Sequence, residues 1–139
     1  MIKITLTGDP ISTNHLYKRH GHVIYMSKEG KDLKTSYQWE AITQWREPPL
    51  AGPVGVIIKL FFRNNLRRDI DNWNKILFDS LTGIAWIDDH QINKMSIEKF
   101  VDKAVPRIEI EIYETKTNTP ENTSDQEPKK AQRPTKRVA

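Results

Sequence analysis

The chain predicts an α+β (mixed α/β) fold, a small mixed β-sheet with two helices packed on it, and three features carry that expectation. Ile2, Ile4 and Leu6 alternate with polar neighbours, and the same period of two runs through Val54, Val56, Ile58, Leu60 and Phe62 and through Ile108, Ile110 and Ile112. That period marks strands with one buried face. Leu33, Tyr37, Ala41 and Trp45 recur every four residues, the spacing of a helix stripe. The segments follow the order β, short β, α, β, α, β, β, which suits helices layered on one sheet.

Each element has its own punctuation. The first strand stops at Gly8-Asp9-Pro10, and residues 10 to 22 read as a loop. A short extended piece, His22 to Met26, leads to Ser27, whose hydroxyl is suited to cap the helix that Pro48-Pro49 ends. Between the strands at 54–62 and 108–112 lie a helix, roughly residues 70 to 82, and a less regular strand, roughly 91 to 101, with Met95, Ile97 and Val101 on one face. Trp39, Trp45 and Trp73 fall on expected helices and read as core, although tryptophans can also stack on unpaired bases. Trp86 falls between elements.

Composition narrows the function classes. The 139 residues hold 22 Lys and Arg against 18 Asp and Glu, a formal charge of +4 with a pI near 9.3. Residues 115–139 carry six of the bases and three of the acids, which leaves 16 bases against 15 acids in residues 1–114. A nucleic-acid surface on the folded part must therefore come from local clustering, not from net charge. The 115–139 tail has one valine and two alanines as its only aliphatic residues and reads as a disordered basic extension to a 1–114 domain. Cysteine is absent, which excludes disulfide scaffolds and thiolate chemistry. No apolar run is long enough to span a membrane, so a cytoplasmic protein without a membrane partner is expected. His15, His20, His22 and His90 could be assembled into a zinc site on paper, but solvated loops or phosphate contacts explain them more simply.

Chemistry concentrates in Arg63-Asn-Asn-Leu-Arg-Arg-Asp-Ile-Asp-Asn-Trp-Asn-Lys75 and in Trp86-Ile-Asp-Asp89. Asp69 and Asp71 flank one residue, so in an extended segment their carboxylates project to the same side and can share a hard cation. An expected helix of about eleven residues carries the chain ~16 Å. The six residues from Gly83 to Asp88 span ~20 Å when extended, enough for Asp88 and Asp89 to return beside the first pair. Converging carboxylates repel one another unless Mg²⁺ or Mn²⁺ binds between them. Arg63, Arg67, Arg68 and Lys75 beside such a cluster suit a phosphodiester. The competing reading is structural: Asp69 caps the helix, and Asp71, Lys75 and Asp79 form a solvated i, i+4 ladder.

The motifs favour the first reading. Arg68-Asp-Ile-Asp-Asn72 with Lys75, Phe78-Asp-Ser-Leu-Thr-Gly83 and Trp86-Ile-Asp-Asp-His-Gln-Ile92 resemble the signature of RusA-type Holliday junction resolvases, as do Pro10-Ile-Ser-Thr-Asn14 with Tyr17 and Ser27-Lys-Glu-Gly30. The resemblance spans residues 2 to 114. It implies a Mg²⁺-dependent endodeoxyribonuclease, Mn²⁺ being a possible substitute, that acts as a homodimer on four-way DNA junctions in recombination and repair. By position, Asp69, Asp71 and Asp89 match the family's metal-binding aspartates, Lys75 its catalytic lysine, and Asp88 the neighbouring acid. Arg63, Arg67, Arg68, Lys18, Arg19 and Asn14 are then candidates for contact with the DNA backbone. No small-molecule substrate is expected. The basic run before Asp69 is shorter than family members can carry, and the tail has no counterpart there. The alternatives are a junction-binding protein without catalysis and a protein-interaction subunit whose acids are only surface ladders.

Overall fold

The computed structural model describes residues 1–118. Its elements in chain order are β1 (Ile2–Thr7), α1 (Thr13–Leu16), β2 (Tyr17–His20), β3 (Val23–Met26), α2 (Lys28–Gln44), β4 (Val54–Phe62), α3 (Lys75–Leu81), a 3₁₀ turn (Asp89–Gln91), β5 (Ile92–Val101) and β6 (Arg107–Glu114). Four strands form one mixed sheet in the order β1-β6-β4-β5, and β2 and β3 form a separate hairpin. This is the expected α+β architecture, with α2 and α3 layered on one face of the sheet.

The expected alternation becomes burial. Ile4, Leu6, Val54, Val56, Ile58, Leu60, Phe62, Ile108, Ile110 and Ile112 are all buried on the helix side. They meet Tyr37 and Ala41 of α2, Trp45 just beyond it, and Ile76, Leu77 and Leu81 of α3. Ser27 caps α2 as expected, its hydroxyl accepting from the Gly30 N–H at 3.1 Å. Trp45, Trp73 and Trp86 are core residues, whereas Trp39 is exposed. Among the described residues, no helix covers the opposite face of the sheet; there Arg107 lies 3.8 Å over the Phe61 ring and bridges to Asp102 and Glu109.

Two expectations about elements need correction. Residues 10 to 22 are not a simple loop: they hold α1 and β2, and β2 pairs with β3 from Tyr17↔Met26 to His20↔Val23. Gly21 turns this hairpin at φ +62°, a conformation open to glycine, but its mostly exposed strands carry no apolar alternation to signal it. The second helix starts at Lys75, not near residue 70, because residues 70–74 form turns and bends held by Trp73 packing edge-on against Phe62. The strand expected at 91–101 is β5, with Met95, Ile97 and Val101 on one face as expected; Met95 and Val101 are about half exposed because β5 is the sheet edge. The tail expectation falls mainly on residues 119–139, outside the described residues. Among the described residues, no helix is long and apolar enough to cross a membrane.

Candidate functional site

β4 and β5 are parallel neighbours, so a crossover must connect them. That crossover, residues 63–91, contains all four candidate acids and Lys75.

At its start the loop is tied down by its own side chains. The Asp9 carboxylate accepts from the Arg63 N–H at 2.9 Å and pairs with the Arg63 guanidinium at 3.6 Å. Arg68 donates to the Asn64 and Leu66 carbonyls and to the Asn64 side chain, while its guanidinium lies 4.2 Å over Phe62. Arg68 is therefore engaged as a staple of this loop. Arg67 is exposed, with no side-chain partner among the described residues. The indole N–H of Trp73 donates to the Asp69 carbonyl at 2.5 Å and holds the turn on which Asp69 and Asp71 stand exposed.

The following helix places Lys75. Its ammonium lies 3.5 Å from the Asp79 carboxylate and 4.9 Å above the Tyr17 ring, and the Tyr17 hydroxyl donates to the same carboxylate at 2.5 Å. Burial first, then the Asp79 carboxylate, pushes the Tyr17 phenol well above the ordinary tyrosine range. The backbone joins the two regions as well, because the Thr13 N–H donates to the Asn72 carbonyl at 2.8 Å. Together these contacts close a cleft of about 260 Å³ lined by Asn14, Tyr17, Lys18, Arg19 and Lys75. Three of the expected DNA contacts and the expected catalytic lysine thus share one surface. Of the two residues that hold that lysine, Asp79 is the i, i+4 ladder partner that the spacing predicts, whereas no spacing points to Tyr17 as its partner.

The second acidic pair divides. Asp88 caps the 3₁₀ turn: its carboxylate accepts from the His90 N–H at 3.1 Å, and this hydrogen bond is the chief cause of a lowered pKa. Gln91 accepts from the Ile87 and Asp88 N–H groups and donates to the Leu50 and Gly52 carbonyls, fastening the turn to the chain ahead of β4. Asp89 is exposed beside Phe78, Ile92 and Met95.

The return of this pair beside Asp69 and Asp71 does not occur within one chain. Asp89 precedes the start of β5, whereas the Arg68 carbonyl accepts from Lys99 near the strand's other end. The seven strand steps from Ile92 to Lys99 span ~23 Å. Among the described residues, no three His, Asp or Glu side chains are grouped closely enough to hold an ion, and this applies to the histidine set as well. Asp69 and Asp71 offer two hard oxygen donors, which suits Mg²⁺ completed by water and phosphate oxygens. Among the described residues, Asp69, Asp71 and Asp89 do not form a three-donor group within one chain.

Comparison with known proteins decides the family. A model of the family described as Endodeoxyribonuclease RusA matches residues 7–113. The chain belongs to the RusA family of endodeoxyribonucleases. It is 30% identical over 112 residues to the crossover junction endodeoxyribonuclease RusA of Escherichia coli K12, covering 80% of this chain and 92% of that protein. The RusA proteins of Shigella sonnei and of Enterobacteria phage 82 show the same identity and coverage. The family match therefore runs from the end of β1 into β6 and takes in α1, α2, α3 and the crossover with its acids.

Proposed function

We propose that this member of the RusA family cuts four-way DNA junctions by paired, symmetric nicks as a homodimer, with Mg²⁺ or Mn²⁺ as cofactor, in recombination and repair in the cytoplasm. The observation that carries this reading is the cleft in which Lys75 meets Asn14, Lys18 and Arg19, one turn of chain after the exposed Asp69 and Asp71. The 1–114 part is assigned the nuclease, and the 115–139 tail an auxiliary phosphate tether. Within the cleft, Lys18 and Arg19 hold backbone phosphates without reading bases. Lys75, fixed by Asp79 and Tyr17, stabilises negative charge that develops on the phosphoryl group during displacement. Asp69, Asp71 and Asp89 are the proposed donors to the cation, Asp69 and Asp71 from one chain and Asp89 from the second chain of the homodimer; a divalent ion held by them would supply an acidified water and a positive charge against a phosphoryl oxygen. Two equivalent sites related by a two-fold axis match two symmetry-related strands. Asp88, occupied as a cap, is assigned a supporting role.

A labelled four-way junction tests the proposal. Nicks should appear with Mg²⁺ and vanish in EDTA, while a linear duplex of the same sequence survives both. Asp71→Asn should abolish cutting yet preserve or tighten junction binding, because one negative charge near the phosphates is removed. Junction binding without nicks across several metals and sequences would favour a binding protein; equal cutting by Asp71→Asn and parent would remove Asp71 from the site.

A further inference from the structure

The β2–β3 hairpin is held at its root and bare beyond it. Tyr17 and Met26 pack against the core, the Tyr17 hydroxyl is bonded to Asp79, and the Ser27 N–H and hydroxyl both donate to the Leu16 carbonyl. Every residue from Lys18 to Tyr25 is exposed. Above the Tyr17–Met26 base, the register sets Lys18 opposite Tyr25, Arg19 opposite Ile24 and His20 opposite Val23. Successive rungs face opposite ways. Arg19 and Ile24 therefore share the face of Tyr17, and all three line the Lys75 cleft, whereas Lys18 with Tyr25 and His20 with Val23 lie on the reverse. Val23, Ile24 and Tyr25 are about half exposed or more, and such a run of apolar side chains in water marks a contact surface. The partner is anionic. Residues 10–28 contain no Asp or Glu, and among the described residues the Lys18 and Arg19 side chains have no partner.

We propose that the β2–β3 hairpin is a strand-separating finger: it enters the fork of a branched DNA and takes one unpaired strand on each face. The chemistry is the same on both faces, a cation beside an apolar side chain, Arg19 with Ile24 toward the cleft and Lys18 with Tyr25 on the reverse. A strand with its bases turned out carries that same pair of features, an anionic phosphate beside a base whose ring face stacks on apolar and aromatic groups. An intact duplex keeps its bases stacked inside and offers the finger phosphates alone. Unstacking is least costly where pairing is already lost, so a finger that must meet bases prefers a branch point to a linear duplex. An acidic protein would satisfy the cations, but it gives no reason for the cation and apolar pairing to recur on both faces, nor for one face to open onto the Lys75 cleft. That inner face delivers its strand to the lysine. The inference rests on the junction-cutting reading only for the branched form of the substrate.

Aminopurine, an adenine analogue whose fluorescence rises when it unstacks, reports the fork directly. It is placed beside the branch point of a four-way junction, and the full chain is added in EDTA so that no strand is cut. The signal should rise on the junction and stay flat on a linear duplex carrying the same probe. Ile24→Ser and Tyr25→Ser should each remove at least about half of the rise and weaken junction binding by about five- to a hundredfold, the contribution of one stacked base. The salt dependence of binding should not change, because every cation remains. Ile24→Val and Tyr25→Phe should keep both the rise and the affinity. Both side chains are exposed, so the Tm of each variant should match the parent's, which excludes unfolding as the cause. A flat signal with the parent protein, an equal rise on the duplex, or serine variants that unstack the junction as the parent does would overturn the proposal, the last assigning the apolar run to a protein partner. A protein that unstacks the junction in EDTA but never nicks it with Mg²⁺ would reject the nuclease reading and leave the finger standing. One that nicks the junction while the probe stays dark would reject the finger and leave the nuclease standing.

Discussion

At Lys75 the site depends on two residues that touch no substrate in the proposed reaction. Tyr17 and Asp79 lie 62 positions apart, and their hydrogen bond sets the carboxylate against which Lys75 rests. Asp79→Asn keeps the shape but releases the lysine, so cutting should slow by about ten- to a hundredfold, as for misplacement of a catalytic group, with junction affinity nearly unchanged. Tyr17→Phe should give a smaller loss of the same kind. Single-turnover rates and binding titrations on one junction check both; a loss of affinity equal to the loss of rate would make these residues DNA contacts instead. The phenol stays protonated through the pH range where an ordinary tyrosine ionises, so the bond should persist there. The rate profile should consequently show no step near pH 10 that Tyr17→Phe removes. Asp69, Asp71 and Lys75 were legible because their spacing is local and chemical. Tyr17 was visible only as a motif residue, since no local pattern records a partner 62 residues away. Arg68 carries two signals: its charge suggests DNA, and its hydrogen bonds go to its own loop.

Among the elements, α2 shows how packing reverses a propensity. Gly30 sits in the first turn of this helix, where alanine would ordinarily be preferred by about 1 kcal/mol. A Cβ there would lie 2.6 Å from the Leu16 carbonyl oxygen and 2.6 Å from Met26 Cγ. The methionine can swing aside, but the backbone oxygen cannot, because it accepts from the Ser27 N–H and hydroxyl. Gly30→Ala should therefore destabilise the protein by roughly 1–3 kcal/mol, the usual cost of overpacking. Ser27→Ala should cost about 1 kcal/mol through the lost cap. Urea midpoints measure both, and a stabilised Gly30→Ala would show that α1 yields. Helix α2, β4 and β6 were readable because each buries a periodic stripe. The β2–β3 hairpin and the late start of α3 were not, since one has exposed strands and the other is delayed by a turn that Trp73 anchors from the core.

For the molecule as a whole, the uncovered face of the sheet predicts its response to acid. Hydrogen bonds from Arg107 are the largest cause holding the Asp102 and Glu109 carboxyls below their ordinary range. The folded chain then binds fewer protons there than the unfolded chain, so stability falls as pH drops from near 4 through the lower folded values. Arg107→Met should lower Tm at neutral pH, and its deficit against the parent should shrink in acid; a deficit independent of pH would mean that packing on Phe61 dominates.

The mixed sheet was legible from alternation alone, but the relation between its ends was not. Chain length allows Asp88 and Asp89 to return to Asp69, whereas a parallel β4–β5 pair sends the chain back along the whole strand before β5 begins. Housing every acid in one crossover also separates architecture from chemistry. The sheet register, α2 and the hydrophobic interior take little from the polar residues at 63–72, so that stretch could be exchanged for its counterpart in a relative and the graft judged by whether the recipient acquires the donor's choice of DNA.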